Sequence, residues 1–153
     1  MGFMRGKAEH QGNRNYLGQS NIELAKSHKI FQRLSKIANV RKQVAALQSG
    51  LQVNVELSGD KAAFYRVLVK DGVAQTALVL LNKGDKKTDF VIKKYMQPGR
   101  WLSQISDDTV NINESKLELQ SSVAAHGVQV WLRQGPITNP LLLLELQRLM
   151  DNK

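Results

Sequence analysis

Apolar residues recur across 20–47 at steps of three, four and seven: Leu24, Phe31, Leu34, Ile37 and Val44, with Ala38 and Leu47 extending the stripe. The positions between them carry Lys and Arg, which predicts one long amphipathic α-helix over 20–49. Ser20 and Glu23 have the spacing of a capping box, and Gly50 suits the stop. Asn39 is a weak helix former and marks a candidate break. From Leu51 the period changes to two. Leu51, Val53, Val55 and Leu57 alternate with Gln52, Asn54 and Glu56, as a half-buried strand requires.

Further β-patterned runs follow: "AAFYRVLV", "QTALVLLN", "TDFVIKKY", "RWLSQI", "DDTVNINES", "KLELQ" and "VAAHGVQVWLRQ". Turn signals separate them, among them the Asp71-Gly72 pair, which favours a tight hairpin, and Pro98-Gly99. The run "QTALVLLN" is almost wholly apolar and reads as a central strand buried on both faces. The predicted fold is mainly β, a Greek-key antiparallel β-sandwich over 50–134 with the long helix before it. The tail 135–153 has room for a short helix, capped by Asn139 and begun by Pro140. Residues 1–19 carry Gly2, Gly6, Gly12 and Gly18 with no apolar period and read as an irregular loop.

Length and composition fit this picture. A chain of 153 residues with 42% hydrophobic residues corresponds to one ordinary domain with appendages. The absence of cysteine excludes disulfides, thiolate metal sites and cysteine nucleophiles. The net charge of +9 raises a polyanion partner. The cations are dispersed, however: Arg5, Lys7 and Arg14 in the first segment, six along the helix, and Lys83, Lys86, Lys87, Lys93 and Lys94 at turns and strand ends. No basic run interleaves aromatics, which argues against nucleic acid. No apolar run is long enough to span a bilayer, and the first residues lack the apolar core of a signal peptide.

Catalytic constellations are scarce. His10, His28 and His126 have no metal-ligand spacing, so no metal or cofactor is expected. Asp107, Asp108, Asn111 and Asn113 lack the glycine and terminal glutamate of a calcium loop and read as a solvated turn. No two acids are placed to share a cleft, as glycosidic chemistry would need. Trp101 and Trp131 are candidates for stacking on sugar, with core or interdomain packing the favoured role because of the area a tryptophan buries. On these residues no catalytic site is predicted.

Six segments carry a family resemblance. "RKQVAALQSG" resembles the end of the last barrel helix of alpha-amylase family enzymes, R-K-x-x-P-A-L-x-x-G, with Ala45 in place of the proline. "AAFYR" and "ALVLLNKGD" are similar to the paired strands that open that family's C-terminal domain. "PGRWLSQIS" is similar to P-x-G-x-W-x-D-V-L-S, with Gln104 in place of Asp, and "SSVAAHGVQVWL" to the final strand pair. At the front, "GFMRGKAEHQGNR" resembles the loop after the eighth barrel strand, G-G-x-D-P-x-N-R. Asn13 and Arg14 match it, and His10 stands where cyclodextrin glucanotransferases have a substrate-contacting Asp.

The resemblance covers about residues 1–134 and leaves the tail unexplained. It implies the last barrel helix and domain C of an enzyme acting on alpha-1,4-glucans such as starch, maltodextrin or cyclodextrin. It also implies that the catalytic carboxylates lie on earlier strands, so that this chain alone is inactive. Its partner is then the missing catalytic barrel. Asn13 and Arg14 become candidate substrate contacts, and an alpha-glucan a candidate ligand. The parent enzyme is expected to be secreted or periplasmic. The helix stripe would pack on the barrel, cover the sandwich, or pair with a second copy. The alternative is a stand-alone carbohydrate-binding or polyanion-binding β-sandwich module.

Overall fold

The structure, a computed structural model, describes residues 18–151. Among them are four helices and eight strands, in two compact units that divide between Ala38 and Asn39.

The described part of the first unit is helical: α1 (Gly18–Ser27) and most of α2 (Lys29–Gln43). The expected continuous helix is in fact three pieces, with α3 (Ala45–Ser49) the last. The breaks fall at His28 and Val44, while Asn39 stays inside α2. At the first break the His28 ring accepts the Ile30 N–H through Nδ1, and the His28 carbonyl accepts the Gln32 N–H. His28 thus serves as the N-cap of α2, a local bond that competes with continuing the helix. At the second, Val44 turns extended (φ −106°, ψ 104°). Its side chain is buried, and the Ala46 N–H is taken by Gln75 Oε1 at 3.1 Å. Ser20, the expected cap, lies inside α1, which begins at Gly18.

The second unit is the sandwich. Its strands are β1 (Leu51–Ser58), β2 (Lys61–Lys70), β3 (Val73–Asn82), β4 (Thr88–Ile92), β5 (Gly99–Ser103), β6 (Thr109–Ile112), β7 (Leu119–Val123) and β8 (Gly127–Gln134). Six form one antiparallel sheet in the order β1-β2-β3-β8-β5-β6, and β4 and β7 form a second, two-stranded sheet. The β2–β3 turn is the one Asp71-Gly72 announces, with φ of 52° and 80°, the pair of positive values a tight two-residue hairpin needs. The segment "SSVAAHGVQVWL" holds β7 and β8, but they are not a hydrogen-bonded pair. β7 joins β4 in the other sheet, and the chain crosses between sheets at His126.

Two clusters make the core. The larger lies between the sheets and includes Val53, Tyr65, Leu78, Leu80, Phe90, Ile92, Trp101, Leu119 and Trp131. The smaller lies on the outer face of the six-stranded sheet, where Val40, Val44 and Ala46 cover Ala77, Val79, Val130 and Leu132. Strand β3 is therefore buried on both faces, as its unbroken apolar run requires. A helix, α4 (Pro140–Asp151), closes the chain, and Asn139 Oδ1 accepts the Leu142 N–H at 3.0 Å as its cap.

Candidate docking face

The register of the large sheet sets the chemistry of its outer face, because directly opposed residues share a face. Three rows cross it: Leu57, Ala62, Leu81 and Val128; then Phe64, Val79 and Val130; then Arg66, Ala77, Leu132 and Leu102. The end of α2 together with α3 covers much of the second and third rows. Gln75 holds the Ala46 N–H, and Arg66 Nε donates to the Ala46 carbonyl at 3.4 Å. The first row stays open, with Leu57 67% and Leu81 38% exposed. Leu57 was expected to point inward with Val53 and Val55. A bulge between Asn54 and Glu56 shifts the register and carries it to the outer face, opposite Ala62. A shallow depression of about 360 Å³ lies against Leu57, Ala62, Leu81, Asp60 and Lys83.

A second apolar surface lies in the first unit. On α2, Ile30, Phe31, Leu34 and Ile37 fall within one stripe, and all four are exposed, Leu34 at 56%. The helix carries five cations, Lys29, Arg33, Lys36, Arg41 and Lys42, and no acid. Ile22 and Leu24 on α1 are exposed too. Contiguous bare apolar surface of this kind marks an interaction site.

The chemistry predicted from single residues resolves differently. Trp101 is fully buried and donates its indole N–H to the Gln97 carbonyl at 3.0 Å, with its ring 6.3 Å from that of Tyr65. Trp131 is 4% exposed and donates to Ser121 Oγ at 3.1 Å. Neither ring can lie against a sugar; both are core anchors. Asp108 accepts Ser106 Oγ–H at 2.7 Å, and its carbonyl accepts the Ser103 N–H, which ties the 103–108 turn to itself. His126 Nε2 stands 2.9 Å from Asp85 Oδ1 on the surface. Among the described residues no three His, Asp or Glu side chains are grouped as metal ligands. Asn13, Arg14 and His10 lie outside the described residues.

Sequence reasoning gave β3 two buried faces but missed that the end of α2 and α3 cover only part of the outer face and leave Leu57 and Leu81 open. The bulge that brings Leu57 to that face has no signal in the alternation of β1.

No protein-family model matches the chain, and no curated protein matches it. Solved structures do. An Anoxybacillus alpha-amylase superposes with a TM-score of 0.57 at 14% identity, over 72% of this chain and 23% of the amylase. The alpha-amylase of Geobacillus thermoleovorans, solved with acarbose, gives 0.54 at 19% identity, over 67% of this chain and 22% of that one. The cyclomaltodextrin glucanotransferase CldA, which has a three-domain ABC distribution, gives 0.52 at 20% identity, over 72% and 23%. The chain shares the fold of the matched part of these enzymes. It spans less than a quarter of the length of each of the three.

Proposed function

We propose that this chain is the non-catalytic C-terminal portion of an alpha-amylase family glycoside hydrolase or glucanotransferase acting on alpha-1,4-glucans. In this reading α1–α3 are the last barrel helix, and the sandwich is domain C. The observation that carries the proposal is asymmetric coverage: about 72% of this chain matches, against 23% of the amylase. Two bare apolar surfaces, the α2 stripe and the Leu57–Leu81 row, support it, since a catalytic barrel would cover such surfaces. The role left to the chain is to stabilise the barrel. Asn13 and Arg14, on the loop that would follow the last barrel strand, are the residues proposed to reach substrate.

The pure protein is expected to release no reducing sugar from starch, and release at enzymatic rates overturns the proposal. The reading frame upstream of the Met1 codon supplies the complementary test. A barrel with three acidic residues at strand ends there supports it, and an unrelated frame or a nearby stop codon removes the parent enzyme.

A further inference from the structure

The tail beyond Gly135 has no counterpart in the resemblance, yet it is among the best-anchored parts of the sandwich unit. The reason lies in the mismatch between the sheets. Two strands, β4 and β7, face six, and they cannot cover the whole inner face. The uncovered end is that of β1; β2 is met from the other side, where its Lys61 donates to the Asp89 carbonyl of β4 and its Tyr65 hydroxyl to the Lys94 carbonyl just beyond β4. An edge strand left open would keep its inward residues wet, yet Val53 of β1 is only 2% exposed.

Helix α4 accounts for this. It packs along β1, and Leu142 and Leu146, 0% and 6% exposed, belong to the same buried cluster as Val53 and Tyr65. The approach to the helix is pinned by polar bonds to the 96–98 turn. Gln97 Oε1, on a side chain with no exposure, accepts the Thr138 N–H at 2.8 Å. Asn139 Nδ2 donates to the Met96 carbonyl at 3.0 Å while its Oδ1 caps α4. Arg133 bridges the two segments, donating to the Pro98 and Pro136 carbonyls, each at 2.8 Å.

We infer that residues 135–151 are a closing strap: α4 takes the place of strands the second sheet lacks and seals the inner face of the edge strand β1, beside β2. This goes beyond the proposed function and stands whether or not a barrel exists.

Hydrogen–deuterium exchange on the full chain tests it. Amides of α4 are expected to be protected to the same degree as those of β1 and β2, because they open together. Protection of β1 and β2 with α4 exchanging like an isolated helix overturns the strap. Asn139→Ala, which removes the cap and the bond to Met96, is expected to speed α4 exchange roughly tenfold. Leu142→Ala with Leu146→Ala is expected to speed exchange in β1, β2 and α4 more than tenfold, or to unfold the unit, and either result supports the strap. Unchanged β1–β2 exchange in that variant sinks it. Leu141→Ala and Leu144→Ala, on the exposed side of the same helix, are the control and leave protection unchanged.

Discussion

Tyr65 and Gly50 show how single residues hold the sandwich. The Tyr65 ring is fully buried, and its hydroxyl donates to the Lys94 carbonyl at 3.1 Å. Burial raises the pKa of this phenol above its ordinary value near 10. The unfolded chain therefore ionises first. The stability Tyr65 contributes is complete below about pH 10 and falls as pH rises further. Tyr65→Phe should cost about 1 kcal/mol at neutral pH through the lost hydrogen bond. The difference between the two proteins, measured by urea unfolding, should shrink as pH rises from neutral to strongly alkaline; a constant difference contradicts the argument. Gly50 is required for a different reason. A Cβ there would stand 2.6 Å from the Ala46 carbonyl oxygen and 2.8 Å from that of Val67, both backbone atoms that cannot swing aside. Gly50→Ala is expected to lower stability by about 1–3 kcal/mol, read as a lower urea midpoint at unchanged slope. At this scale the sequence was legible where identity alone decides. Gly50 as a stop and Asn139 as a cap are examples. For Trp131 the favoured core role holds, although Gln129 and Arg133 share its face of the strand. Both are buried, with Gln129 bonded to Ser103 and Ser106, and Arg133 to carbonyls at 98, 135 and 136.

Periodicity named the elements more reliably than their partners. Alternation in a strand tells which residues share a face, and "LQVNVEL" told that correctly up to the Asn54–Glu56 bulge, beyond which Leu57 changes sides. It carries no information on which strand lies alongside, so the move of β7 into the small sheet was not legible. The helix stripe was legible, and the break at His28 was not, because it depends on a side-chain bond that composition does not signal. The stripe also supports an element-level prediction about a second copy of the chain. Ile30, Phe31, Leu34 and Ile37 favour association, while five cations and no acid on α2 oppose pairing two such helices. Salt screens the repulsion and leaves the apolar attraction. Self-association, followed by sedimentation velocity, is therefore expected to increase with salt and to vanish in Leu34→Glu with Ile37→Glu. Association that weakens with salt would point to ion pairing instead and remove the stripe as its cause.

At the scale of the whole molecule the question is whether the sandwich engages glucan by itself. Surface recognition of sugar rests largely on open aromatic rings, and both tryptophans are spent on the core. Among other rings, Phe90 is buried, with Lys61 over its face, and Lys94 lies over Tyr95. Two depressions among the described residues, at Leu57–Lys83 and at Gly99–Gln134, offer no aromatic floor, and neither brings two carboxylates together. Titration of the chain with maltoheptaose, followed by amide chemical shifts, is accordingly expected to show no saturable change in the sandwich residues. A saturable change there would favour the stand-alone carbohydrate-binding module over a barrel-stabilising one. A change confined to the first residues and abolished by Asn13→Ala with Arg14→Ala has a different meaning. It would show that the front loop keeps a sugar contact of its own. The net charge of +9 gives the matching control. Binding of a sulfated glucan that disappears with added salt reports the cations, whereas binding of the neutral oligosaccharide is insensitive to salt and reports hydrogen bonding and packing. Silence with maltoheptaose beside salt-sensitive binding of the sulfated polymer is the outcome this surface predicts. It would leave the bare apolar faces, rather than any sugar site, as the part of the molecule that calls for a partner.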